Sequence, residues 1–354
     1  ISCDILISNG TIYDGSGSKP YVGSLAIKDD KIIYVGENTD FQADTVIDAT
    51  DLAVSPGFIN MLSWGYNSLM DDGRALSDLK QGVTLEIFGE GTSPGPYWKD
   101  GKFTSFGEAM TMLEEKGVSV NIGSFLGAAT TRILEVGYKN RQATPSEMER
   151  MRGHVENSMK EGAMGIGSSL IYAPGDYAST EELTELSKVA SEYGGMYISH
   201  LRSEGTNLLE ALEELISISR NANIPAEVYH LKASREPNWS KLDDVIKRIE
   251  EVRKEGLQIT ADIYTYNASS TGLTGVIPTW VQEGGHRAWI NRMKDPEVRP
   301  RLLADIREQL DEQPPEGILL VGFKTSKMSR KYLAKTVAEA AAMRGQTPEE
   351  AIVD

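Results

Sequence analysis

Strand-like and helix-like segments alternate from Gly57 to Tyr264, and this alternation constrains the fold more than any single motif. Short apolar runs at 58–62, 83–88, 118–126, 164–168, 196–201, 226–231 and 257–264 read as buried strands. Between them apolar residues recur at helical spacing, around 75–81, 108–116, 144–161, 179–194, 207–220 and 242–254. Two of these helices open on capping boxes, Thr144-Pro-Ser-Glu147 and Ser179-Thr-Glu-Glu182, which satisfy orphan amides at a helix start. Strands joined by helical crossovers imply an α/β fold with parallel pairing and right-handed connections. An open doubly wound sheet and a (β/α)8 TIM-like barrel both fit. No Gly-rich phosphate loop follows any strand, which weakens the nucleotide-binding sheet. A barrel instead gathers reactive side chains at the carboxyl ends of several strands. Glu90 follows Glu86-Ile-Phe-Gly, His200 ends Tyr197-Ile-Ser-His, His230 ends Glu227-Val-Tyr-His, and Asp262 ends Ile259-Thr-Ala-Asp. The barrel is the reading adopted, with its eighth strand expected beyond this chain.

Residues 1–55 follow another rule. Their apolar residues alternate with period two around Asn9-Gly10 and Asp29-Asp30, the pattern of antiparallel hairpins in a small β subdomain. Residues 56–354 then form the barrel domain, interrupted at about 268–330 by a stretch with no clear αβ unit, read as a lid-like insertion. Within it Ile318-Leu-Leu-Val-Gly322 looks like a strand. The chain starts at Ile1, consistent with a removed secretory signal (hence a periplasmic or secreted protein) or with cropping of a cytoplasmic one. Thr347-Pro-Glu-Glu350 opens a final helix that stops after about one turn, so a further C-terminal segment of the same protein is an expected partner.

Composition narrows the chemistry. A formal net charge of −16 argues against nucleic acid and anionic membrane surfaces as partners. No apolar run approaches the roughly 20 residues that span a bilayer. One cysteine, Cys3, rules out an internal disulfide framework and multi-cysteine metal sites, and only four histidines are present. Two of those four, His200 and His230, stand at equivalent positions on successive strands. Each alone reads as a core histidine satisfied by a carbonyl; the pair points to a metal, and zinc suits imidazole nitrogen. Glu90, between Gly89 and Gly91, is the third candidate ligand, against the plainer reading of a loop glutamate. Asp262 is a candidate partner behind the ligands that orients a histidine. His154 reads as a surface residue and His286 as a loop residue. Arg202, Lys232 and Arg235 bring positive charge near the site, suited to a carboxylate-bearing small molecule. Tyr172, Tyr264 and Tyr266 are candidate cavity walls.

These residues together resemble the amidohydrolase superfamily in its N-acyl-D-amino-acid deacylase (D-aminoacylase) branch. The resemblance rests on Ile7-Ser-Asn-Gly-Thr-Ile-Tyr-Asp-Gly15, Ser55-Pro-Gly-Phe-Ile59, Gln81-Gly-Val-Thr84 and Gly165-Ile-Gly-Ser-Ser-Leu-Ile-Tyr-Ala-Pro-Gly175. It continues through Ile198-Ser-His-Leu-Arg-Ser-Glu204, Tyr229-His-Leu-Lys232 and Asp262-Ile-Tyr-Thr-Tyr-Asn-Ala-Ser-Ser-Thr271. It implies a barrel carrying a small β-sandwich, and zinc-dependent hydrolysis of a linear amide. One tightly bound ion would sit on Glu90, His200 and His230, with Tyr172, Arg202, Lys232 and Tyr266 binding substrate. It also implies a general-base aspartate, expected after Asp354. Two departures stand out: Leu62 and Trp64 occupy the places of a first-strand His-x-His pair, and Glu90 stands where the branch has a cysteine. A cyclic-amide or dipeptide hydrolase, or a barrel that binds a ligand without catalysis, are the alternatives.

Overall fold

The computed structural model describes residues 1–38, 40–323 and 325–354. It divides into two compact units, one of residues 1–59 with 76–85 and one of residues 60–75 with 86–354.

The first unit is a sheet of β1 (Ser2–Ile12), β2 (Tyr21–Lys28), β3 (Lys31–Gly36), β4 (Gln42–Asp48) and β5 (Ala53–Val54), in the order β3-β2-β1-β4 with β5 also on β1. The Asp29-Asp30 hairpin forms, with Lys28 paired to Lys31 and Asp29 at φ 53°. Asn9-Gly10 behaves differently from the hairpin turn expected of it. β1 runs straight through, and the register slips between Ile7 and Gly10 as a bulge. The Asn9 amide is held by Asp48 Oδ1 at 3.0 Å, and a Cβ at Gly10 would lie 2.5 Å from Val54 Cγ2. β4 and β5 pair with β1 in parallel, so the unit is a mixed sheet rather than a set of hairpins.

β6 (Phe58–Asn60) and β7 (Val83–Phe88) carry the chain into the second unit, where β8 (Tyr97–Lys99) and β9 (Lys102–Thr104) form a hairpin. Next come β10 (Asn121–Ser124), β11 (Leu126–Gly127), β12 (Gly165–Ser169), β13 (Met196–His200), β14 (Ala226–Val228) and β15 (Ile259–Ala261). β11 to β15 lie side by side in sequence order, every pair parallel. The helices between them, Pro145–Lys160, Thr180–Glu192, Leu208–Ala222 and Leu242–Lys254, place Met151, Leu183, Leu212 and Val245 in one core with Ile166, Tyr197 and Ile259. The α/β class and parallel order match the sequence expectation. Among the described residues the parallel pairing runs over these five strands without closing into a ring.

Local signals explain most boundaries. The Thr144–Glu147 box forms in both directions. The Ser179 box forms only by half: Ser179 accepts the Glu182 amide, but the Glu182 carboxylate turns inward to Arg132 Nη1 at 2.6 Å. Residues 268–330 hold the helices Thr279–Gln282, His286–Lys294 and Arg299–Glu312, so His286 opens a helix rather than sitting in a loop. Val281, Leu302 and Ile306 pack there with Val337 and Ile352. Of the expected strand at 318–322, Leu319 alone forms a bridge, to Thr336. No described helix is long and apolar enough to cross a membrane.

Candidate metal centre

The strand ends bring the candidate donors together. His200 is the last residue of β13 and pairs in register with Ser169 of β12. His230 lies two residues past β14, in the left-handed region at φ 38°. That conformation costs a non-glycine residue about 1–3 kcal/mol, and Asp262 helps hold it: its Oδ1 accepts the His230 backbone N–H at 2.8 Å. Glu90 is aimed by the glycines beside it. Gly89 has φ 109° and a Cβ there would sit 2.3 Å from the Phe125 carbonyl oxygen; Gly91 has φ 68° and a Cβ would meet Ser169 at 2.9 Å.

Glu90 Oε1 lies 3.0 Å from His200 Nδ1 and 3.8 Å from His230 Nε2, and the three residues offer ligand atoms all within 4.8 Å of one another. Two ligands about 2.0–2.1 Å from a tetrahedral zinc are separated by roughly 3.3 Å, a spacing those two distances bracket. Two imidazole nitrogens and one carboxylate also form a donor set zinc accepts, so the residues fit the ion. The three side chains are only 7–12 % exposed. Trp64 Nε1 donates to Glu90 Oε2 at 2.9 Å and Ser169 Oγ to Oε1 at 3.3 Å. Burial alone would raise the Glu90 pKa; hydrogen bonds from His200, His230 and Trp64 outweigh it and hold the carboxyl at about 2. For His230, burial works against the charged form, but bonds to Glu204 and Glu90 prevail and raise its pKa to about 9.

Glu204 is the residue the sequence reading did not single out. Its Oε1 lies 3.0 Å from His230 Nδ1, 3.7 Å from His200 Nε2 and 2.5 Å from Lys232 Nζ. Burial pushes its pKa up, yet His230, His200 and Lys232 together bring it down to about 2. Once a metal holds both imidazoles as neutral ligands, two carboxylates against one ammonium leave one net negative charge, which suits a dication.

The centre opens on a cavity of about 590 Å³ lined by Leu62, Trp64, Ile133, Tyr138, Ile171, Tyr172, Lys232 and Tyr264 besides the donors. Ser269–Thr271 of the expected insertion line it too, and the Tyr172 hydroxyl bonds to Thr271. Two expectations need correction. Arg202 does not line the cavity: its guanidinium binds Glu214 at 2.8 Å and the carbonyls of Asp176 and Ala178. Tyr266 is 64 % exposed, and Tyr264 takes the wall instead, with Lys232 Nζ 5.6 Å from its ring centre. Asp262, expected behind a histidine, meets His230 through its backbone N–H; burial and Glu227 raise its pKa to about 6. Arg235 pairs with Glu312, and His154 with Glu135 at 2.8 Å.

A D-aminoacylase from Alcaligenes xylosoxydans xylosoxydans is 30 % identical over 285 residues, 76 % of this chain and 59 % of that protein. The chain is related to the D-aminoacylases. Two solved structures share the fold. An N-acyl-D-glutamate deacylase from Bordetella bronchiseptica, complexed with zinc and a phosphonate mimic of the tetrahedral intermediate, superposes with TM-score 0.79 at 22 % identity. It is matched over 99 % of this chain and 69 % of its own. A D-aminoacylase described as defining a novel subset of amidohydrolases superposes with TM-score 0.78 at 25 % identity, again over 99 % and 69 %. The chain thus spans somewhat more than half the length of the curated relative, 59 %. No protein-family model matches it.

Proposed function

We propose that the protein is a one-zinc amide hydrolase that deacylates N-acyl-D-amino acids, with the ion on Glu90, His200 and His230. The observation that carries this reading is the convergence of those three donors at strand ends, on the floor of a cavity large enough for a small substrate. The kinship with D-aminoacylases supports the substrate class. The sequential parallel order of β11 to β15, with the likeness to the two solved structures, supports a (β/α)8 barrel in the whole protein. The sheet at 1–55 is then part of a β-sandwich, and the insertion at 268–330 acts as a lid.

When bound, zinc supplies Lewis-acid polarisation of the amide carbonyl and activation of water at neutral pH. The chain's own groups do the rest. Trp64 and Ser169 hold the Glu90 carboxylate so that only its Oε1 faces the two imidazoles. Lys232 keeps a positive charge at the cavity wall, beside Tyr264, where a substrate carboxylate finds its counter-charge. Tyr172 presents a phenol over His200, ring centres 5.9 Å apart, to orient the amide. Leu62, Ile133 and Ile171 give an apolar surface for an acyl or side-chain group and exclude water from it.

The test is metal analysis and turnover of the intact protein. About one equivalent of zinc per chain, lost with activity in His230→Ala, and faster hydrolysis of N-acetyl-D- than N-acetyl-L-amino acids are expected. A folded wild-type protein that binds no zinc overturns the reading. Turnover confined to cyclic amides or dipeptides would move it to those substrates.

A further inference from the structure

We infer that Glu204 is the positioning residue of the proposed metal centre, one carboxylate oxygen that sets the orientation and tautomer of the His230 imidazole from behind. The inference rests on the zinc site proposed above and adds to it a residue that touches neither ion nor substrate.

The geometry separates the faces of the two rings. His200 turns Nδ1 toward Glu90 at 3.0 Å, and His230 turns Nε2 toward the same oxygen at 3.8 Å. The nitrogens left over lie toward Glu204 Oε1, which is at hydrogen-bond distance from His230 Nδ1, 3.0 Å, and farther from His200 Nε2, 3.7 Å. His200 Nε2 is buried and has no hydrogen-bond partner among the described residues; Glu204 Oε1 lies beside it at 3.7 Å, too far to accept from it in this geometry.

The His230 tautomer follows by elimination. Nδ1 has two neighbours at 3.0 Å, Glu204 Oε1 and Lys232 Nζ. Were Nδ1 to accept from the ammonium, a neutral ring would carry its proton on Nε2 and could offer no lone pair to a metal. With the proton on Nδ1 donated to Glu204, Nε2 is free on the side where Glu90 waits. Lys232 is then satisfied by Glu204 at 2.5 Å and by the His230 carbonyl at 3.1 Å. Glu204 is itself pinned: its Oε2 accepts from Ser234 Oγ at 3.2 Å, and its backbone carbonyl accepts the Ser234 amide at 2.7 Å. A carboxylate behind a metal-binding histidine is a recurring arrangement, and losing it costs about 10–100-fold in metal affinity.

The experiment measures zinc affinity by chelator competition in the intact protein, together with the visible spectrum of the cobalt-substituted form. Glu204→Gln, which keeps the shape but not the charge, should bind zinc about 10–100-fold more weakly with a shifted cobalt band. Lys232→Met, which breaks the same ion pair from the other side, should keep the wild-type affinity and band. Far-UV circular dichroism checks that each variant is folded. If Glu204→Gln does not fold, Glu204→Asp takes its place, with a smaller loss in the same direction. Equal affinity in wild type and the Glu204 variant overturns the inference and leaves the zinc site standing, as does an equal loss in Lys232→Met, which would make Glu204 no more than that lysine's counter-ion. A wild type without zinc overturns the site itself.

Discussion

Arg132→Met should be among the most damaging single changes outside the metal centre, and its cost should depend on pH. Arg132 is fully buried in the helix Ala128–Glu135, and its partner Glu182 is 3 % exposed in the helix Thr180–Glu192. One guanidinium nitrogen binds the carboxylate at 2.6 Å while the other reaches the carbonyls of Lys139 and Arg141, the first at 3.3 Å. Removing the cation strands a carboxylate away from water, a loss of about 3–5 kcal/mol. Glu182→Gln should cost less, roughly 1–3 kcal/mol, since the arginine keeps its two carbonyl acceptors. The double change Arg132→Met with Glu182→Leu should recover most of the loss, because a well-packed apolar pair replaces a buried ion pair at little net cost. The pH dependence follows from Glu182. Burial raises its pKa above the ordinary 4.5 despite the attraction of Arg132. A folded-state value above the unfolded one means the native state holds the proton better. Stability from this group is therefore greatest at low pH and declines as pH rises through the folded value. Without Arg132 the opposing attraction is gone and the carboxyl shifts further up. The penalty of Arg132→Met should then be larger at pH 8 than at pH 5. Urea unfolding followed by tryptophan fluorescence at the two pH values reads both quantities. A penalty below about 1 kcal/mol, or one independent of pH, would refute the picture of a dry, mutually dependent pair.

Three further outcomes concern the proposed metal centre. Gly89→Ala must fit a methyl 2.3 Å from the Phe125 carbonyl oxygen at φ 109°, so zinc affinity and thermal stability should fall together, measured by chelator competition and calorimetry. Trp64→Phe keeps the aromatic wall but removes the N–H that holds Glu90 Oε2; zinc binding about tenfold weaker with an unchanged melting temperature is expected, and unchanged affinity would show that the indole only packs. Asp262→Ala frees the His230 amide from its 2.8 Å acceptor, so amide hydrogen exchange at residues 229–231 should accelerate and zinc dissociate faster, whereas unchanged exchange would assign that turn to other contacts.

That Glu90, His200 and His230 gather at one rim was legible because their signals are local. An imidazole just past an apolar run lies at a strand end whatever the rest of the chain does, and glycines on both sides of Glu90 announce a backbone that only glycine adopts. The direction each neighbouring charge faces was not legible, because a distant partner decides it. Arg202 and Glu204 stand two residues apart after the same strand and look alike as loop charges. Arg202 turns to Glu214, a carboxylate on the helix Leu208–Ala222 that reads as an ordinary solvated face, and leaves the cavity. Glu204 turns inward because Lys232, 28 residues later, arrives beside His230. The one available hint was spacing: Glu204 is four residues past His200, and Lys232 two past His230, so two opposite charges leave adjacent strand ends. Asp262 shows the same competition between partners. Of the groups His230 offers, it takes the backbone: a buried N–H left unpaired costs about 1–3 kcal/mol, and the left-handed turn at His230 presents such a group to Asp262. The same rule accounts for the half-formed box at Ser179, where a buried arginine outbids a helix amide for Glu182. Local pattern thus places a charged residue at the rim, and the least replaceable partner within reach determines whether it serves the site or the scaffold.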